Sequence, residues 1–272
     1  APAGKTIRWK IRLSDLKRLP EVGGSVRQLM PGDDLTVLLD LYNHMYGNIN
    51  FSCLRKVFNK RLEGDTPLAE KQWIFVWLDE TGVPGGFLVA SRIENTLNCL
   101  TNFAQKNALI APDTKALIGL LRFVSTVFLA NFEFIEFGLP DHLDLSWLLP
   151  ELSGMDCRAI LNGMTRAVNV ELLLMFCRCR GKGRLILKVS DSIISENNDT
   201  FLLKFAPDRE NQVNRVNAPA DIELDVGNLS ALLGGSRDAG SLVMTPDIRI
   251  KTPDLDFSQV FYRKPCHILD LF

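Results

Sequence analysis

Residues 220–235 read Ala220-Asp221-Ile222-Glu223-Leu224-Asp225-Val226, then Gly227-Asn228, then Leu229-Ser230-Ala231-Leu232-Leu233, then Gly234-Gly235. Ile222, Leu224 and Val226 alternate with Asp221, Glu223 and Asp225, the period of a half-buried strand. The strand runs into a short helix over residues 229–233, which Gly234-Gly235 ends. The three acidic side chains share one face. Like charges so placed point to a solvent-facing surface, or alternatively to a cation site.

Upstream of this stretch the pattern continues. A short strand is expected at residues 165–170, and Asn169 is placed to cap a helix through residues 171–178. Gly181-Lys182-Gly183 turns the chain. Its amides could cradle a phosphate, but a glycine turn between a helix and a strand needs no ligand. Residues 184–189 alternate Leu185, Leu187 and Val189 with Ile186 and Lys188, and residues 200–205 pair back as a hairpin after the turn Glu196-Asn197-Asn198-Asp199.

The first half of the chain has a different rhythm. A strand is expected at residues 6–13, where Ile7, Trp9, Ile11 and Leu13 alternate with cations. A short strand at 26–29 precedes a helix at 35–46 that Asp33 or Asp34 would cap, and a second helix is expected at 51–62. Residues 73–78 and 86–90 are nearly continuous apolar runs flanking a turn, the signature of a buried hairpin. A further strand is expected at 97–104. Asp113 caps a long helix at 114–130, and a strand follows at 132–137. Strand, two helices, hairpin, strand, helix, strand is the order of an acyltransferase-like α/β layer.

Bulk properties exclude several functions. The 272 residues carry 31 Lys and Arg against 32 Asp and Glu, a net charge of −1, so no cationic surface for nucleic acid is expected. The most apolar stretch, residues 116–137, is broken by Arg122, Glu133 and Glu136 and reads as a buried helix and strand, with no membrane association expected. Ala1-Pro2-Ala3-Gly4-Lys5 lacks the pattern of a signal peptide, and the missing initial Met points to a chain trimmed from something longer.

The six cysteines, Cys53, Cys99, Cys157, Cys177, Cys179 and Cys266, form no C-x-x-C pair and read as buried thiols of a cytoplasmic protein. Cys177-Arg178-Cys179 would set its thiols awkwardly for one metal on a strand, and Cys266-His267 reads as a core thiol beside an exposed histidine; no second pair completes a tetrahedral set, and no metal is expected. His44, His142 and His267 stand at no triad-like spacing. Trp73, Phe75 and Trp77 read as core. No nucleophile elbow, phosphate loop or dinucleotide fingerprint is present.

The sequence Met164-Thr165-Arg166-Ala167-Val168-Asn169-Val170, the hairpin at 183–205 and the 220–235 stretch together resemble the C-terminal domain of the enhanced-intracellular-survival type of N-acetyltransferases. That domain has a sterol carrier protein 2-like fold. Leu120-Leu121-Arg122-Phe123, Leu139-Pro140 and Trp147-Leu148-Leu149 resemble the family's middle, acetyltransferase-like (GNAT-like) domain, and residues 7–16 resemble the segment that leaves its first domain. Asn169 stands where an acidic residue is expected, and it keeps the capping role.

The resemblance implies an α+β chain: residues 1–20 leaving a preceding domain, a GNAT-like mixed α/β domain at 21–155, and a sterol carrier protein 2-like domain at 156–272. In that family acetyl-CoA is held by an R/Q-x-x-G-x-G/A loop at a helix N-terminus of the first domain, which also supplies a tyrosine general acid. Neither is found here, and Arg180-Gly181-Lys182-Gly183-Arg184 has the wrong spacing. The family's general base is the α-carboxylate of the final residue, here Phe272, in a tail that Ile268, Leu269 and Leu271 could anchor. The implied function is the non-cofactor-binding part of an acetyl-CoA-dependent acetyltransferase acting on a small-molecule amine of aminoglycoside or lysine type, in a homo-oligomer. The alternatives are a lipid-binding module or an assembly scaffold.

Overall fold

The computed structural model describes residues 4–30, 32–56, 72–100, 108–149, 155–161, 163–207 and 209–268. The chain forms two compact units. One holds Lys5–Asn162 and the returning chain from His267, and the other Gly163–Cys266. The sequence places this boundary near residue 155.

The first unit is built from β1 (Lys5–Arg12), β2 (Ser25–Leu29), α1 (Thr36–Tyr46), β3 (Gln72–Leu78), β4 (Pro84–Ile93), β5 (Thr96–Cys99), β6 (Ala108–Ile110), α2 (Thr114–Val127), β7 (Phe134–Pro140) and β8 (Asp156–Leu161). Its sheet runs β2-β3-β4-β5-β7-β1-β8, with β6 also paired to β4. Only β5 and β7 pair in parallel; the other pairs are antiparallel. The apolar runs of β3 and β4 bury both faces. Phe75, Trp77, Leu88 and Ala90 pack toward α2, while Ile74, Val76, Phe87 and Val89 pack with Leu38, Leu41, Tyr42 and Met45 of α1.

Local chemistry sets the joints. The Asp79 carboxylate accepts from the Thr81 and Val83 amides, and Gly82 takes φ of 83°, closing the β3–β4 turn. Asp113 caps α2 by accepting from the Ala116 amide at 2.8 Å. Arg122, within the apolar body of α2, donates to the Leu19 carbonyl and pairs with Glu21 at 3.1 Å.

β1 lies between β7 and β8, opposing Trp9 to Phe137 on one side and to Cys157 on the other. β8 is invisible in the sequence because all six of its residues are exposed, so no apolar alternation marks it. The helix expected at 51–62 does not begin: residues 51–56 are irregular, with Phe51 at φ of 68°, and the remainder lies outside the described residues. The strand expected at 97–104 is seen as β5, and residues 101–104 lie outside the described residues.

The second unit comprises α3 (Val170–Phe176), β9 (Gly183–Ser190), β10 (Asp199–Phe205), β11 (Gln212–Arg215), β12 (Ile222–Asp225), α4 (Val226–Gly234) and β13 (Arg249–Ile250). Its sheet order is β11-β10-β9-β12-β13, with β12 and β9 parallel. Leu185, Leu187, Val189, Phe201, Leu203 and Leu224 share one core with Leu229 and Leu232 of α4. Asn169 caps α3, Asp225 caps α4 through the Gly227 and Asn228 amides, and Gly235 ends α4 at φ of 87°.

The strand expected at 165–170 is not formed. Its backbone donors are taken by side chains instead: Ser230 Oγ accepts from the Ala167 amide at 2.8 Å, and Asn197 Oδ1 from the Val170 amide at 3.0 Å. Arg166 is drawn into an ion pair with Asp191.

Candidate functional site

Two places in the first unit gather chemistry-bearing residues. The first is a cleft of about 610 Å³ where α1, the β3–β4 turn and the start of α2 meet. Asp40, Asp79 and Asp113 line it with Lys115, His44 and Trp77. Lys115 is paired to Glu80 at 3.4 Å. Hydrogen bonds from Thr81 and Val83 hold the Asp79 carboxyl below the usual range, so it carries charge. A helix N-terminus facing a cleft is where an anion such as a pyrophosphate would bind. Here the cap position is filled by the Asp113 carboxylate, and two more carboxylates face the same space. The described residues of this cleft do not fit acetyl-CoA.

The second place is where the chain returns at its end. The His267 amide donates to the Asn50 carbonyl at 3.0 Å, and Ser52 Oγ donates to the His267 carbonyl at 2.9 Å. The imidazole stacks on Tyr46, the last residue of α1, and is only 1% exposed. The expectation of an exposed histidine is therefore corrected: the aromatic shelf that α1 presents to residue 267 is invisible in the local sequence. Burial pushes the His267 pKa down to about 4; a hydrogen bond with the Lys5 backbone opposes this, His142 adds to it, and Asp141 opposes it. Its Nδ1 has no hydrogen-bond partner among the described residues. The ring is neutral at pH 7 and fixes where the final residues depart. Phe272, the candidate base, lies outside the described residues, as do Leu269 and Leu271.

The other sequence candidates resolve into structure. A Cβ on Gly181 would sit 2.0 Å from Gln259 Oε1, and the Arg180 amide donates to the Gln259 carbonyl, so the glycine turn is filled by its own chain. Asp221 accepts from the Ile186 amide and the Thr252 hydroxyl, both at 2.8 Å. Glu223 faces Arg249 and Lys251, and Asp225 is spent as a helix cap. His44 lines the cleft, and His142 is exposed, its pKa lowered by partial desolvation against the opposing charge of Asp141. Trp73, Phe75 and Trp77 pack in or against the α2-side core.

Known proteins supply the comparison for this architecture. Residues 172–265 match the family described as sterol carrier protein domain. A probable N-acyltransferase from Enterococcus faecalis V583, described as a conserved protein of unknown function, superposes with a TM-score of 0.81 at 15% identity, over 97% of this chain and 66% of that one. The fold is an acetyltransferase fold joined to a sterol-carrier fold.

A GCN5-related N-acetyltransferase from Anabaena variabilis superposes on the acetyltransferase-like chain with a TM-score of 0.75 at 18% identity, covering 100% of this chain and 68% of that one. Eis1 from Mycobacterium abscessus does so with a TM-score of 0.75 at 16% identity, covering 100% and 69%. The chain thus spans about two thirds of the length of these solved structures. No curated protein matches it by sequence. No helix among the described residues is long and apolar enough to cross a membrane.

Proposed function

We propose that this chain is the middle and C-terminal part of an acetyl-CoA-dependent N-acetyltransferase of the enhanced-intracellular-survival type, acting on amine substrates of aminoglycoside or lysine type. The observation that carries the reading is the extent of the likeness: structures described as N-acetyltransferases cover this chain from end to end, across both units, while being longer than it. A domain preceding residue 1 binds acetyl-CoA, which supplies the acetyl group. The acidic cleft agrees with that division, since its three carboxylates oppose a pyrophosphate.

This chain contributes acceptor-site walls, an assembly surface and a base. An ammonium group must lose its proton before its nitrogen attacks an acyl carbon. The Phe272 α-carboxylate takes that proton, its base strength raised by an apolar setting. The burial of His267 supports this reading, because it fixes the chain five positions before Phe272. On α3, Leu172 and Phe176 lie four residues apart and remain 48% and 64% exposed, which favours burial against a second copy in a homo-oligomer. The absence of disulfides among the six cysteines suits a reducing cytoplasm.

The test uses the protein encoded by the complete reading frame, with acetyl-CoA and an aminoglycoside or a lysine peptide. Appending a few residues after Phe272 abolishes acetyl transfer; retained transfer refutes the base. Calorimetry on residues 1–272 alone is expected to show no acetyl-CoA binding, and binding would refute the division of labour.

A further inference from the structure

The second unit holds a pair of thiols that the proposed acyl transfer does not use. Cys177 follows the last residue of α3 with φ −66° and ψ 136°, so the chain leaves the helix there. Here the chain bends. Cys179 Sγ comes within 3.9 Å of the Cys177 carbonyl oxygen.

The surroundings hold both sulfurs in place. Asn211 Nδ2 donates to the Leu174 carbonyl at 2.9 Å and to the Cys177 carbonyl at 2.7 Å, and lies 3.4 Å from Cys177 Sγ. Cys177 Sγ also lies 3.2 Å from the Leu174 carbonyl, which can accept its proton. Lys264 places its ammonium near the pair and is itself held by the Leu233 carbonyl at 2.8 Å. Cys179 is 7% exposed and Cys177 half-buried.

The two sulfurs are not equivalent. The contact with Cys179 and then burial push the Cys177 thiol up. The neighbouring Cys177 lowers Cys179, and Lys264 and Asn211 add to this against the opposing effect of burial. The pair therefore loses its first proton from Cys179 and keeps the second on Cys177.

We propose that Cys177 and Cys179 form an oxidisable dithiol, a modification site for hydroperoxides, in which Cys179 attacks and Cys177 resolves. The Cys179 thiolate attacks the terminal oxygen of ROOH. An S–O bond forms, the O–O bond breaks, and the departing alkoxide takes a proton and leaves as ROH. The Cys177 sulfur then displaces the hydroxyl of the Cys179 sulfenic acid. An S–S bond forms, the S–O bond breaks, and the Cys177 proton leaves with the hydroxyl as water. The two thiols are oxidised by two electrons, and the peroxide is reduced to ROH and water.

The experiment treats the chain with hydrogen peroxide at pH 7, blocks remaining thiols with N-ethylmaleimide and maps the peptides. Cleavage after Glu171 and Glu196 keeps both cysteines on one fragment. That fragment is expected to lose two hydrogens, to take up no maleimide, and to regain both thiols with dithiothreitol. In Cys177→Ser, oxidation stops at a Cys179 sulfenic acid that dimedone labels. In Cys179→Ser, Cys177 is not labelled above the exposed Cys53 and Cys157. Without peroxide, Cys179 is alkylated by iodoacetamide roughly tenfold faster than Cys157, whose thiol burial pushes up. Two maleimide adducts on the fragment after peroxide, a bridge between chains, or labelling of Cys53 or Cys157 ahead of Cys179 would each overturn the proposal. The mapping of the unsubstituted chain decides even where a serine variant fails to fold.

Discussion

Tyr46 and His267 stack with ring centroids 5.6 Å apart and planes 14° from parallel. The end of α1 is thereby joined to the chain's last described residues, and backbone bonds to Asn50 and from Ser52 complete the joint. The buried imidazole makes this joint sensitive to acid. Its folded pKa is about 4, against an ordinary 6.5. Between those values the unfolded chain takes up a proton that the folded one refuses, so stability falls as pH drops from 6.5 to 4 and this contribution levels off below. The loss attributable to His267 is about 3 kcal/mol. Urea unfolding of the first unit at pH 7 and at pH 4.5 measures it. His267→Gln is expected to flatten that part of the profile, and an unchanged slope would contradict the assignment.

Gly119 lies flush against the indole of Trp77. A Cβ there would stand 2.2 Å from Trp77 Nε1, and one on Gly85 would stand 2.6 Å from the same ring. Trp77 is 3% exposed and has no room to withdraw. Gly119→Ala is expected to destabilise the first unit by about 1–3 kcal/mol through overpacking, despite alanine's better helix propensity. A variant more stable than the parent in urea would refute this.

Asp113 supplies one bond to the α2 amides and the favourable charge at that helix end. Asp113→Ala should cost about 1 kcal/mol, whereas Asp113→Asn should retain most of the cap. Thermal unfolding of the two variants side by side separates loss of the cap from loss of charge.

Asp191 is the hub of the loop before β10. Its carboxylate accepts from the Ile193 and Ile194 amides and from Asn197 Nδ2, and it pairs with Arg166. Burial alone would raise its pKa. The bonds from Asn197, Ile194 and Ile193, with Arg166, outweigh that and hold it at about 2. Its contribution to stability is present above 3.8 and disappears as pH falls through 2. Asp191→Ala is expected to lower the melting temperature of the second unit more than removal of the cap-forming side chain in Asn169→Ala. The opposite ranking would show that the loop is held elsewhere.

The legible parts of this fold carried their signals within a few residues. Asp113 announces α2, and the alternation of Leu185, Leu187 and Val189 announces β9. Ile222 to Gly235 spells out a strand, a helix and its stop, each confirmed by the ladder, the Asp225 cap and the left-handed Gly235. These features depend on backbone dihedrals and on side chains reaching the nearest amides, so neighbouring residues suffice to set them. The candidate base was legible only through resemblance, since a terminal carboxylate has no motif of its own.

Tertiary structure decided what depends on distant partners. β1 finds its place between β7 and β8 through residues more than a hundred positions away, and β8 shows no pattern because an exposed edge strand needs none. Residues 165–170 have a strand-like composition, yet Ser230 and Asn197 take the amides that a ladder would need. The chain bend after α3 brings Cys179 Sγ to the Cys177 carbonyl, and the shelf of Tyr46 buries His267. The sequence alone determined those elements that carry their own periodicity and caps, such as α2, β9 and the strand and helix of residues 222–235, because these follow from neighbouring residues. Which faces were buried, which amides were taken and which thiols and rings met followed only from packing, where the deciding neighbour lies far along the chain.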